Sequence, residues 1–241
     1  MSEQLVRDLK INGLGQAAGG TYGKVSIDGI GTLNGDTVCD LLTVNGSLKT
    51  KHSIQGGEIR INGNSSVGGK VGSGRLRVDG MLKVDGDVRS ERMDINGMLR
   101  IGGGAAGDTL EIDGSLKSSG NVEFETVQVY GGFQVGGMLN AGTLELKMAA
   151  ACQAREIGGE RIRVAAKKGS RKLLGLFTSS LAIRLTADVI EGDDIVLEDT
   201  KADVVRGNRV RIGPGCEIGV VEYRHAYEAD PKASVGKAVQ L

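Results

Sequence analysis

Residues 76–92 read LRVDGMLKVDGDVRSER, and the next seventeen residues, 93–109, read MDINGMLRIGGGAAGDT. The two stretches agree position by position: each opens with an apolar residue and places a β-branched residue third and a glycine fifth. The same seventeen-residue unit can be aligned from Val25 to Thr143, and a sixteen-residue version precedes it from Leu9. Repeats of this length are typical of solenoids, in which each unit stacks on its neighbours.

Apolar and polar residues alternate between the glycines of each unit, as in residues 76–78 and 82–84. A period of two indicates strands with one buried face. We therefore predict an all-β fold, a single-stranded β-helix (β-solenoid) with about seventeen residues per three-stranded coil and a triangular cross-section of ~18 Å sides. One interior ladder of this β-helix should contain Ile61, Val78, Ile95 and Ile112.

The composition agrees with a thin aliphatic core. The chain has no Trp, 3 Phe and 4 Tyr, but 40 Gly and only 2 Pro, which indicates many tight corners without a collagen-like period. Its 30 basic residues equal its 30 acidic ones, so the net charge gives no reason to expect a nucleic-acid partner. Three widely spaced cysteines argue against a disulfide framework and favour a reducing cytoplasm. The first residues lack the apolar stretch of a signal peptide, and we expect a soluble cytoplasmic protein.

Four segments follow from the repeat: residues 1–8 before it, 9–161 with regular coils, 162–223 with altered coils, and 224–241 as a disordered tail or a short cap. A basic and apolar insert occupies 165–180. Residues 155–184 carry a charge of +6 and residues 185–205 a charge of −6. The favoured interpretation is that the insert is a solvated loop whose charges pair with the acidic stretch.

The glycine-punctuated strands, the scarcity of aromatics and the runs EIGGERIRV and VIEGDDIVLEDTKADVVRGNRVRIGPGCEIGVVEY together resemble the bactofilins, in particular the long polymer-forming type of Gram-positive bacteria. The resemblance covers about Leu9 to Tyr223. It implies a right-handed β-helix, a cytoplasmic location and nucleotide-independent filaments that support cell shape, envelope or appendage assembly. It also implies a homopolymer, with a paralogous bactofilin as a further partner and no cofactor. Many bactofilins have Pro-rich tails and a membrane-targeting peptide, which this chain lacks.

No group of residues with catalytic spacing stands out, and we expect no enzyme, no cofactor and no metal. His52 interrupts a glycine column and should be an exposed corner residue, while Cys152 should be a small core residue. A hexapeptide-repeat acyltransferase is the enzymatic alternative, because Ile212-Gly213 is followed six residues later by Ile218-Gly219. A second alternative is a β-helical adaptor that recruits partners without polymerising.

Two sets of residues are candidate contact surfaces. The coils at the two ends of a β-helix leave backbone groups unpaired, so we expect end-to-end polymerisation. The residues predicted for this contact are Leu5, Val6, Leu9, Ile11, Ile218, Val220, Val221 and Tyr223. The insert could also rest on an anionic membrane at the inner face of the cell membrane. Its residues are Lys167, Lys168, Arg171, Lys172, Leu173, Leu174, Leu176 and Phe177. The favoured alternative is a loop or short helix that packs its leucines on the β-helix wall.

Overall fold

The structure, a computed structural model, describes residues 7–166 and 183–241. It is all-β, with 78% of the described residues in strands, and its parallel strands form a β-solenoid of about 13 turns with ~17 residues per turn. The predicted fold class is thereby confirmed. The chain divides into two compact units. The first contains the residues up to Leu110 together with Ser115–Gly120, and the second contains Glu111–Gly114 together with the residues from Asn121 onward.

The strands of the first unit differ in length. They are β1 (Leu9–Ile11), β2 (Leu14–Ile27), β3 (Ile30–Val44), β4 (Ser47–Thr50), β5 (Ile54–Ile61), β6 (Asn64–Val67), β7 (Val71–Val78), β8 (Met81–Val84), β9 (Val88–Ile95), β10 (Met98–Ile101) and β12 (Ser115–Ser118), while β11 (Ala105–Ile112) has residues in both units. From β3 onward these strands alternate between long and short, and β2 is also long.

Strand pairing in the first unit repeats every seventeen residues after a first coil of sixteen. Leu9 pairs with Val25 across the shorter coil. In the regular coils Val44 pairs with Ile61, Ile61 with Val78, and Val78 with Ile95. All of these side chains except that of Leu9 are buried at 1% exposure or less. The predicted ladder is confirmed within this unit, and Ile112, equally buried, belongs to the second unit.

Each coil has three sides, although only two corners interrupt the strands. In β5 the buried positions are Ile54, Gly56, Ile59 and Ile61, so the alternation shifts by one residue at Gly57 and Glu58. That shift marks a third corner inside a continuous strand. The chain was predicted to form three separate strands per coil. It forms a four-residue and an eight-residue strand instead, because the backbone pairing to neighbouring coils continues through the third corner.

The main glycine column is required by close stacking of the coils. A Cβ atom built on Gly46 would overlap with the carbonyl oxygen of Gly29, and one on Gly63 would overlap with that of Gly46. Neither of these glycines has a positive φ, which among the glycines that the structure describes is found only at Gly20, Gly35 and Gly215. The column therefore exists because any side chain would push adjacent coils apart.

The strands of the second unit are longer and their spacing varies. They are β13 (Val122–Val129), β14 (Gly132–Met148), β15 (Cys152–Ala166), β16 (Leu185–Leu197), β17 (Thr200–Ile212), β18 (Glu217–Ala229) and β19 (Ser234–Gln240). Val129 pairs with Leu146, Leu146 with Val164, Val164 with Leu197, and Leu197 with Ile212. The fifteen-residue repeat predicted between Ala187 and Ala202 is confirmed, because these two residues pair directly.

Candidate functional site

At the N-terminal end, the first described strand lies against the second coil. The backbone N–H of Gly23 donates to the carbonyl of Arg7, and that of Lys24 donates to Oδ1 of Asp8 at 2.8 Å. Leu9 is partly buried, while Ile11 is 7% exposed. Both were predicted to form a polymerisation surface, and both lie at this end. Leu5 and Val6, predicted for the same surface, lie outside the described residues.

At the C-terminal end, four residues predicted to be terminal are covered by a further strand. β19 pairs with β18 in parallel, joining Ile218 to Val235 and Val221 to Ala238. Ile218 and Val221 are buried at 3% and 0% exposure, and Val220 and Tyr223 are partly buried. The terminal position assigned to these four residues is wrong, and so is the expected end of the β-helix near Val221, because residues 234–240 supply another layer of strand. Of the two possibilities considered for 224–241, disordered tail or cap, the structure has an ordered covering segment.

A pair of stacked tyrosines lies in β18, the strand next to this covering strand. Tyr227 pairs with Val210 and occupies the column in which Ile195 and Val210 are buried. Tyr223 pairs with Gly207 and occupies the same corner position one coil later. The two rings stack with centroids 5.3 Å apart and an interplanar angle of 23°. Sequence reasoning missed this pair, although two tyrosines four residues apart in a chain with only 4 Tyr were a detectable signal.

The predicted membrane-contact residues of the insert all lie outside the described residues: Lys167, Lys168, Arg171, Lys172, Leu173, Leu174, Leu176 and Phe177. After the insert, strand pairing resumes with Leu185 opposite Cys152, and β16 keeps one constant register along β15. The described residues contain no helix that is long and apolar enough to cross a membrane.

Charges on the outer surface of the second unit pair from coil to coil. Arg206 donates to Glu191 at 2.9 Å and to Glu222 at 2.6 Å, and these carboxylates raise its pKa. Arg209 makes two hydrogen bonds to Asp194 in the preceding coil and holds the pKa of that carboxyl below its usual range. The acidic stretch thus finds cationic partners in the following strand, β17.

Within the part of the chain that the structure describes, the cysteines and histidines do not converge on one site. Burial raises the pKa of the Cys39 thiol to about 11 and that of Cys152 to about 12, and it also raises the pKa of Cys216. Such thiols carry almost no thiolate at neutral pH and act as small apolar groups. His52 and His225 are exposed. Across residues 7–166 and 183–241, no three His, Cys, Asp or Glu side chains are grouped so that they could hold a metal ion.

Comparisons with known proteins identify two relatives in Bacillus subtilis (strain 168). The uncharacterized protein YhbE is 60% identical over 238 residues, which are 98% of this chain and 99% of YhbE. The uncharacterized protein YhbF is 41% identical over 105 residues, 43% of this chain and 42% of YhbF. No protein-family model matches the chain, and no solved structure matches it. Because the identity to YhbE extends over nearly the full length of both chains, the protein belongs to the family of YhbE.

Proposed function

We propose that the protein is a structural scaffold that assembles end to end into filaments without nucleotide or metal, as the resemblance to the bactofilins implies. The observation that carries the proposal is the pairing of the first and last described strands. Among the residues that the structure describes, β1 pairs only with β2 and β19 only with β18, whereas β5, β7 and β8 pair on both sides. Unpaired strand edges attract further strands.

Both ends also present small inward-facing residues. Ala17 pairs with the buried Leu33 and is partly exposed, and Ala238 pairs with the buried Val221 and is exposed. At such positions the core of one molecule can continue into the next, with the backbone ladder beside it. The stacked Tyr223 and Tyr227 add a flat, partly apolar platform close to the C-terminal end.

The partners in this proposal are further copies of the chain and a paralogue. YhbE and YhbF belong to one organism and are both related to this chain, which supports a paralogous partner in mixed filaments. The cellular role would be support of cell shape, envelope or appendage assembly in the cytoplasm. The proposal involves no catalytic step and no cofactor.

Electron microscopy of purified protein over a concentration series tests the proposal. We expect filaments for the wild type and their loss in Ala17→Lys and Ala238→Lys, which place a charge on an end without disturbing a buried residue. Asn64→Lys adds the same charge to an exposed position of a central coil and should leave filaments intact. A monomer at every concentration would favour the adaptor alternative, and filaments that survive both end substitutions would indicate assembly through the sides.

A further inference from the structure

One outer side of the first unit carries almost only positive charge. The short strands β4, β6, β8, β10 and β12 form this side, with Cα atoms paired in register from coil to coil. We call it the basic side and define it as residues 47–51, 64–68, 81–85, 98–102 and 115–119. These residues include Lys49, Lys51, Lys83, Arg100 and Lys117 but a single acid, Asp85, a balance of +4 in a chain of zero net charge.

Three of these cations stand directly above one another. Lys83 pairs with Arg100, and Arg100 with Lys117, so their Cα atoms lie ~4.8 Å apart in adjacent coils. Lys83 forms an ion pair with Asp85 at 2.8 Å. Arg100 and Lys117 form no ion pair with any residue in the described ranges. Like charges opposite one another in a sheet are destabilising, so folding stability does not explain this column.

Two other outer columns of the first unit place arginines opposite each other, Arg60 with Arg77 and Arg75 with Arg92, but acids accompany both columns. In the first unit Arg75 and Arg92 share Asp94, at 2.7 and 2.9 Å. In the second unit Arg206 lies between two glutamates, as described above. Where the first unit stacks arginines elsewhere, acids from the same or a neighbouring coil pair with them, whereas Arg100 and Lys117 of the basic side have no such acid among the described residues. This difference indicates an external anionic partner.

Exposed apolar side chains run beside the cations. Leu14 and Ile30 pair with each other and are 87% and 59% exposed. The same outward column continues through Ser47 and Asn64 to Met81, which is 43% exposed, and then to Met98. This column lies two residues before the cationic one on every strand. We call Leu14, Ile30, Met81 and Met98 the apolar stripe. Ser47 and Asn64 interrupt it, so Met81 and Met98 lie beside cations of the basic side, whereas Leu14 and Ile30 lie beyond its edge in the first two coils.

We propose that the basic side binds the surface of an anionic lipid bilayer. The cations would contact the anionic headgroups, and the leucine, isoleucine and methionine side chains would enter the boundary between headgroups and acyl chains. A nucleic acid would use the cations alone, because this side has no aromatic residue on which a base could stack. The proposed site includes no residue of the insert at 165–180 and does not depend on filament formation.

Co-flotation of the full chain with vesicles in a density gradient tests the proposal, since filaments alone do not float. The wild type should float with vesicles that contain phosphatidylglycerol and not with pure phosphatidylcholine. Neutralising four cations of the basic side should raise the lipid concentration for half-maximal binding by at least about tenfold. The substitutions are Lys49→Gln, Lys83→Gln, Arg100→Gln and Lys117→Gln.

A matched control removes four exposed cations elsewhere and should float as the wild type does. Its substitutions are Lys24→Gln, Arg89→Gln, Lys201→Gln and Lys232→Gln. Equal loss in both variants, or loss in neither, would overturn the proposal.

A third variant, Met81→Ser with Met98→Ser, tests the apolar stripe. It should bind vesicles several-fold more weakly while its binding to a DNA duplex stays unchanged. Tighter binding of the wild type to the duplex than to vesicles, with no effect of the methionine substitutions on vesicle binding, would assign the basic side to a polyanion and reject the bilayer.

Discussion

The regular coils of the first unit and the varied coils of the second share one kind of interior and differ in how their outer residues meet. In the first unit short polar side chains join successive coils: Nδ2 of Asn45 donates to Asp28 and Nδ2 of Asn62 donates to Asn45, both at 2.7 Å. In the second unit most such contacts are made by long arginines, as by Arg206 with Glu191 and Glu222. Each unit also has a contact of the other kind: Arg75 with Asp94 in the first, and Asn208 with Asp193 in the second.

This difference accords with the constant period of one unit and the variable period of the other. Asparagine, aspartate and serine are short, so they reach the next coil only where the corners of the two coils have similar shapes. An arginine side chain is long and flexible, so it can bridge coils whose corners differ. The pairing offsets in the second unit accordingly change between strands, and shifts of register occur within β14 and within β17.

The shared interior predicts that a buried charge is equally damaging in both units. Val78→Asp and Ile195→Asp place a carboxylate at positions that are 0% and 1% exposed, respectively. Each should cost at least ~4 kcal/mol, since the charge has no partner among aliphatic neighbours. Denaturant unfolding measures the loss, with Lys83→Gln as an exposed control. A variant with wild-type stability in either unit would show that its interior columns are assigned wrongly.

The close approach of coils at the glycine corners should make glycine substitutions unequal. Gly63→Ala would overlap with backbone of the preceding coil and should cost about 2–3 kcal/mol. Gly207→Ala, in the second unit, meets the carbonyl oxygen of Gly192 at 2.8 Å and should cost less. Gly13 lies in the same column as Gly63, but a Cβ atom added there has no other atom within 4 Å, so Gly13→Ala is the matched control. Equal thermal stabilities of the three variants would contradict the stacking explanation.

The sequence predicted the interior better than the ends. The aligned units were sufficient to identify the ladder through Val78 and Ile95. With a seventeen-residue period and a two-residue alternation, only one set of positions can place its side chains inside the β-helix. The covering strand β19 was missed because the register shifts between Gly207 and Arg209, so the residues after Tyr223 depart from the spacing of the preceding coil. Gly236, which lies against Gly219, was the available signal. The charge column of Lys83, Arg100 and Lys117 was present in the aligned units, but its meaning depends on which charges the fold neutralises elsewhere.

A buried hydroxyl in the regular unit offers a stabilising change. Ser65 stands between Leu48 and Leu82 in an inward column, is 6% exposed, and its Oγ has no hydrogen-bond partner within the described residues. Ser65→Ala removes the unpaired polar group and should raise the stability by about 1 kcal/mol. Ser73→Ala is the contrasting variant, because its hydroxyl donates to Ser90 at 3.1 Å and its removal should lower the stability. Thermal melts that move both variants in the same direction would contradict this expectation.

The smallest expected effect tests the two kinds of outer contact directly. Arg206→Gln removes two ion pairs of a side chain that is 44% exposed, and such a change should cost only about 0.5–1 kcal/mol. Asn62→Ala removes a hydrogen bond of the polar column in the first unit and should cost a similar ~0.5–1 kcal/mol.

The two losses of stability should differ in their dependence on salt. Salt screens exposed charges, so the cost of Arg206→Gln should shrink in concentrated sodium chloride. The cost of Asn62→Ala should stay nearly constant, because that contact involves neutral amides. Denaturant unfolding of both variants at low and high salt provides the measurement. A salt-independent loss for Arg206→Gln would mean that the arginine acts through the packing of its methylenes, and the ionic explanation for the variable coil length would then be wrong.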